Sequence, residues 1–311
     1  VKDVIVLGGT HGDEMSGVCL VRKWLNGSPL TAKTCEVIPY LSNVEAIKLC
    51  RRYKDCDLNR QFTEENLKSV LADTELSYEV KRAREMNEKF AEMNGSTFIL
   101  DLHNTTSNSQ VCLIVEELDG FSLHMCRYIQ QAFPKGVCRI WILGGSVEYG
   151  DTRCMVKRGI AIEVGPQPQA VVRADIMDLQ EKAVNLSLEF IDKYNQGVCF
   201  DSCQIEGYKT FIKIDFPRNS QGDIAGMIHQ NLQDQDWKPL TRSSTVFRRF
   251  NGDDVTLGDV IDDVGVEESV YPMFVNEAAY YEKGIAFHLT NKVHMSLPAL
   301  KHLSRVTKPV S

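Results

Sequence analysis

His11 and Glu14 stand three residues apart in Gly8-Gly9-Thr10-His11-Gly12-Asp13-Glu14, just after the apolar run Val4-Ile5-Val6-Leu7 and before the amphipathic stretch Met15 to Leu25. That context places them where a buried strand hands over to a helix, a usual place for chemistry in α/β proteins. An imidazole and a carboxylate on such a turn can converge on one cation, with glycines before and between them to let the chain turn tightly. Catalytic zinc sites commonly use His and Glu, need a third protein ligand and keep a position open for water. Alone, the pair reads as well as two satisfied polar residues at a strand end.

A third ligand is available in His103, which follows the apolar run Phe98-Ile99-Leu100 and Asp101-Leu102. Asp101 shares a strand face with His103 and is a candidate to orient its imidazole through the other ring nitrogen; a local turn bond is an equal alternative. Glu163 ends a further apolar strand, Gly159-Ile160-Ala161-Ile162. Burial there raises a carboxyl pKa and suits it to proton transfer, unless an arginine simply pairs with it. Four polar groups at the ends of three separate strands predict one site.

The elements that must position them alternate along residues 1 to about 198. Strand patterns fall at 3–7, 34–40, 96–102, 111–116, 138–143 and 159–164, and helical patterns at 14–26, 43–50, 78–93, 121–133 and 173–195. This alternation predicts a largely parallel sheet with helices on both faces. Beyond that point short β-rich pieces and turns such as Asn251-Gly252-Asp253 replace long helical periods. We expect a catalytic domain over 1–198 and a smaller β-rich C-terminal domain over 199–311 that caps the site.

With 43% hydrophobic and 25% charged residues, the 311-residue chain has the composition of a soluble globular protein. No apolar run is long enough to cross a bilayer and no signal-peptide pattern opens the chain. Ten scattered cysteines without a Cys-x-x-Cys pair read as reduced thiols of a cytoplasmic protein. The net charge is −7, and no Lys/Arg-rich block stands out, which argues against nucleic acid and anionic membranes as partners. An anionic substrate would have to be drawn in by arginines of the pocket itself.

Such arginines exist. Asn59 and Arg60 set an amide beside a guanidinium, a pairing suited to clamping a carboxylate, and Arg52 can aim a further cation at the same place. Tyr149-Gly150-Asp151-Thr152-Arg153 feeds the strand that carries Glu163, and loops in that position supply substrate contacts. Tyr280 and Tyr281 follow the apolar run Tyr271 to Val275; they read as interdomain packing, with one hydroxyl able to reach a substrate.

Six blocks together resemble the aspartoacylase and N-acyl-aromatic-amino-acid amidohydrolase family. They are Gly8 to Glu14, Asp55 to Arg60, Asp101 to Asn108, Ile162 to Gln169, Asn231 to Trp237 and Val275 to Lys283, in family order across nearly the whole chain. The resemblance implies a zinc-carboxypeptidase-like mixed sheet flanked by helices, with a β-rich C-terminal domain. It also implies one Zn2+ per chain on His11, Glu14 and His103, with Glu163 as general base and then acid. Arg52 would steady the oxyanion, Asn59 and Arg60 would hold the α-carboxylate, and Tyr280 would close over that clamp. The implied reaction is hydrolysis of a small N-acyl amino acid, in a homodimer or higher homo-oligomer.

Within that family, Arg153 and Tyr149 match the positions with which aspartoacylases read the β-carboxylate of N-acetylaspartate. A desolvated arginine facing an aromatic ring would leave its charge unpaired, which favours an acidic side chain. The tail from Leu297 to Val306 resembles the aromatic-preferring branch instead, and Asp13 replaces the family's asparagine. N-acetyl-L-aspartate is therefore the expected substrate, with N-acyl aromatic amino acids and mercapturates as the alternative. An inactive zinc-binding interaction protein and a peptide carboxypeptidase are the more distant readings.

Overall fold

A computed structural model describes residues 1–68, 75–93, 95–117, 119–144, 150–156, 158–261 and 269–302. Tyr149 and the tail beyond residue 302 therefore lie outside the described residues.

The N-terminal part runs β1 (Asp3–Gly8), α1 (Met15–Leu25), β2 (Glu36–Leu41), α2 (Val44–Leu49), α3 (Glu64–Lys68), α4 (Tyr78–Phe90), β3 (Thr97–Asn104), β4 (Gln110–Glu116), α5 (Gly120–Ala132), β5 (Cys138–Leu143), β6 (Gly159–Gly165) and α6 (Ala174–Asn195). There follow β7 (Cys203–Ile214), β8 (Gly226–Ile228), β9 (Thr245–Arg249), β10 (Asp254–Thr256), β11 (Tyr271–Met273) and β12 (Phe287–Leu297). The six strand patterns and five long helical patterns expected for the first 198 residues all form, their ends shifted by at most a few residues.

Nine strands make one sheet in the order β11-β12-β7-β5-β4-β6-β3-β1-β2, and β10-β9-β8 make a second, small one. The main sheet is mixed: β2, β1, β3 and β6 are parallel, β4 runs antiparallel to β6, and β12 runs antiparallel to both β7 and β11. Strands from beyond residue 198 thus extend the same sheet that carries the expected site.

Strand alternation gives the sheet two unlike faces. Val4 and Val6, Phe98, Leu100 and Leu102, and Ile160, Ile162 and Val164 pack under α1, α5 and α6 in one apolar core. The other face carries Ile5, Leu7 and Ile99 under α4. Farther across, Cys112, Ile114 and Ala161 meet Trp141, Tyr208 and Phe274. Between those two clusters the same face presents Asp101, His103 and Glu163. The C-terminal part has its own core around Phe216, Phe247 and Phe287.

Two glycines shape the β1–α1 turn. Gly9 has φ +72°, in the region that disfavours side chains. A Cβ at Gly12 would lie 2.1 Å from the Ala46 backbone, so only glycine lets the loop press against α2.

Candidate active site

His11, Glu14 and His103 meet at one point. Their ligand atoms all lie within 4.8 Å of one another and all three residues are buried. His11 Nδ1 is 2.6 Å from Glu14 Oε1, His103 Nδ1 is 2.9 Å from Glu14 Oε2, and the two Nδ1 atoms are 3.2 Å apart. The far ring nitrogens face carboxylates. His11 Nε2 is 3.1 Å from Asp57 Oδ1, and His103 Nε2 is 3.1 Å from Asp101 Oδ2, though poorly aligned with it. Carboxylates behind ligand imidazoles are the usual support of a metal site.

Each ligand is held in turn. The Asn104 backbone N–H donates to Glu14 Oε2 at 3.0 Å. Thr10 and Thr152 hydroxyls donate to the two oxygens of Asp101 at 2.7 and 2.6 Å. The charge pattern calls for a cation: burial opposes ionisation of Glu14, yet His11 and His103 hold its carboxyl well below the usual range. Burial likewise raises Asp57, but His11 and Arg52 outweigh it and hold it low. Burial lowers His103, and the charges of Asp101 and Glu14 reverse that and raise it well above its ordinary value. Two imidazole nitrogens and one carboxylate oxygen converging in a carboxylate-rich setting fit a divalent metal ion with nitrogen and oxygen ligands.

Glu163 sits beside His103 across the β3–β6 register. Burial pushes its carboxyl up to about 8, against the pull of His103 and helped by Glu14 and Glu277. Arg52 spans the rim, Nη1 3.3 Å from Glu14 Oε1 and Nη2 3.1 Å from Asp57 Oδ2. All of these except Asp57 line one cavity of about 600 Å³, joined by Asn59, Arg60, Arg153, Tyr280, Lys213 and Lys283. A chain of net charge −7 thus concentrates cations here, as an anionic ligand requires.

Arg153 is buried in that wall but is not free. Its Nε and Nη2 donate to the two carboxylate oxygens of Asp151 at 3.1 and 2.5 Å, and Nη1 is buried without a partner among the described residues. Asp151 was not singled out in the sequence, because a loop aspartate beside an arginine has no spacing signal. Asp57 and Glu277 were also missed. Glu277 accepts from the Thr105 hydroxyl and, at 2.7 Å, from the Thr106 N–H, two and three residues after His103. Tyr281 is exposed and donates to Asn276, whereas Tyr280 faces the cavity.

A mixed sheet with a buried His-Glu-His group that could hold a metal ion, an adjacent carboxylate and a cationic wall fits the active site of a hydrolase. The chain belongs to the succinylglutamate desuccinylase/aspartoacylase family of deacylating hydrolases: the catalytic domain of that family matches residues 1–191 and its barrel-sandwich hybrid domain matches residues 203–292. It is 42% identical to mouse aspartoacylase over 307 residues, covering 97% of this chain and 96% of that one. It is 40% identical to human N-acyl-aromatic-L-amino acid amidohydrolase (carboxylate-forming) over 317 residues, covering 100% and 97%. Murine aminoacylase 3 superposes with a TM-score of 0.89 at 41% identity, covering 96% of this chain and 98% of that one.

Proposed function

We propose that the protein hydrolyses N-acyl-L-amino acids, N-acetyl-L-aspartate foremost, with one zinc ion on His11, Glu14 and His103. The observation that carries this is the placing of Glu163 next to His103, in a cavity that Arg52, Asn59 and Arg60 also line. When bound, zinc supplies a Lewis acid and brings the pKa of a water to about 7. Glu163 takes the proton of the attacking water on a carboxylate oxygen and delivers it to the amine nitrogen as the amide C–N bond breaks. Arg52 balances the negative charge that grows on the amide oxygen. Asn59 and Arg60 hold the α-carboxylate, and Tyr280 closes over it from the C-terminal part.

The free Nη1 of Arg153 supports an acidic side chain in the substrate, since a buried guanidinium donor gains most from an anionic acceptor. Tyr149 belongs to the same reader in this proposal. A second reading, an aromatic side chain, is favoured by Asp151, which already balances most of Arg153's charge, and by the rings of Trp141 and Phe274 in the same cavity.

We also assign residues 1–198 and 199–311 to a catalytic and a capping unit, supported by the provenance of Glu277 and Tyr280. No helix among the described residues is long and apolar enough to cross a membrane. All ten cysteines are free, which supports a cytoplasmic location.

The test compares kcat/KM of the zinc-loaded protein on N-acetyl-L-aspartate and N-acetyl-L-tyrosine. A clear preference for the aspartate compound is expected. Preference for the tyrosine compound would transfer the assignment to the aromatic reading, and no turnover of either would overturn the deacylase proposal.

A further inference from the structure

The cavity continues past the metal-binding group into a wing over β4, β5, β7 and β12. Its walls carry rings beside Lys209, Lys213 and Lys283: Trp141 and Phe274 lie 5.7 Å apart, Phe274 and Tyr280 5.9 Å, and His288 is 5.5 Å from Trp141 and 5.3 Å from Tyr280. A volume near 600 Å³ accommodates a drug-sized ligand, more than an acetyl group and an aspartate side chain fill. Part of a larger substrate can enter the wing.

His288 is the odd member of these walls. It is 3% exposed, it lines the cavity, and its Nε2 is buried without a partner among the described residues. Nδ1 lies 3.3 Å from Thr210 Oγ1. Burial, helped by Lys213 and Lys283, lowers the imidazole to about 3, so the ring is neutral. A neutral ring adds no counter-charge of its own, so an anion here would be held by Lys213 and Lys283 and not by His288. An apolar group would leave Nε2 unpaired, which is costly in a dry site. A hydroxyl suits both tautomers, because it donates or accepts as Thr210 dictates.

We propose that His288 is a specificity-determining residue whose Nε2 hydrogen-bonds an uncharged hydroxyl on the part of the substrate that enters the aromatic wing. The proposal rests on the N-acyl amino acid reading. That hydroxyl can come from the amino-acid side chain or from the acyl group, and two matched pairs separate these sources. N-acetyl-L-tyrosine against N-acetyl-L-phenylalanine tests the side chain; N-glycolyl-L-aspartate against N-propionyl-L-aspartate tests the acyl group.

For each pair, kcat/KM is measured on the zinc-loaded enzyme and Kd by calorimetry on zinc-loaded Glu163→Gln. In one pair the hydroxyl member should lead by about tenfold in both readings. His288→Val on each background should bring the ratio to within about twofold, and His288→Gln, which keeps a hydrogen-bonding end, should retain most of it. The ratio cancels any loss common to both members. No preference in either pair, no binding of any of the four, or a preference that survives His288→Val would overturn the proposal. Kd ratios that hold without turnover of any compound would instead overturn the deacylase reading and leave His288 assigned.

Discussion

The two ends of the cavity are built on opposite rules. At the metal-binding end, polar groups are tied to polar groups: Glu14 to both histidines and the Asn104 amide, Asp101 to two hydroxyls, Arg52 to two carboxylates. In the wing, rings meet rings, and His288 Nε2 waits for a partner. The first arrangement fixes atoms in place before substrate arrives, as electrostatic catalysis needs. The second leaves room and one unmet hydrogen bond, which is how a site discriminates among substrates. Under the proposals above, reaction type is set at one end, and part of the substrate choice at the other.

That contrast can be broken by substitution. Glu163→Gln should lower kcat by roughly 10²–10⁴ while metal content by atomic absorption stays at the wild-type value; near-normal turnover would remove Glu163 from proton transfer. Arg52→Ala should cost about 10²–10³ in kcat. A change confined to KM would show that Arg52 binds substrate uniformly instead.

Arg153→Ala is expected to lower the aspartate-to-tyrosine ratio of kcat/KM by about tenfold or more. It also leaves Asp151 buried without its partner, so the melting temperature should fall. Asp151→Ala together with Arg153→Ala should recover that stability without recovering the ratio; a ratio unmoved by either variant would make Arg153 a wall residue only.

The smallest effect on turnover is expected at Asp236, which anchors the segment leading to Glu277 by accepting the Val275 N–H at 3.1 Å. Burial pushes its carboxyl to about 7, against backbone hydrogen bonds that lower it. Between about pH 4 and 7 the unfolded chain therefore binds fewer protons than the folded one, and stability falls as pH rises through that window, by a contribution on the order of 4 kcal/mol. Asp236→Asn should flatten that slope in urea unfolding. An unchanged slope would show that Asp236 is ionised throughout.

Much of the catalytic end was legible because local rules govern it. Val4 to Leu7 and Phe98 to Leu100 are apolar runs that become fully buried strands, and polar residues at their ends had few other places to go. Helix boundaries followed from periodicity for the same reason. The reversal of β4 was not legible, since an apolar run carries no direction. Nor was the continuation of the sheet through β7, β12 and β11, which depends on edge pairing between distant segments. Asp57, Glu277 and His288 were missed because each acquires its role from a partner far along the chain or from burial alone, and Asp151 because a loop aspartate next to an arginine carries no spacing signal. Arg153 shows the same limit from the other side: its position was readable, its counter-ion was not.

Glu277 grips Thr105 and Thr106 across about 170 residues of chain. During synthesis, β1, β3 and β6 leave the ribosome long before that carboxylate does, and domains generally form in the order they emerge. Long-range closures of this kind are slow because the intervening loop must first be ordered. The nascent chain can therefore gather His11, Glu14 and His103 early, yet the contacts that follow His103 are completed only once residue 277 has emerged, and a chain stopped before residue 277 never completes them.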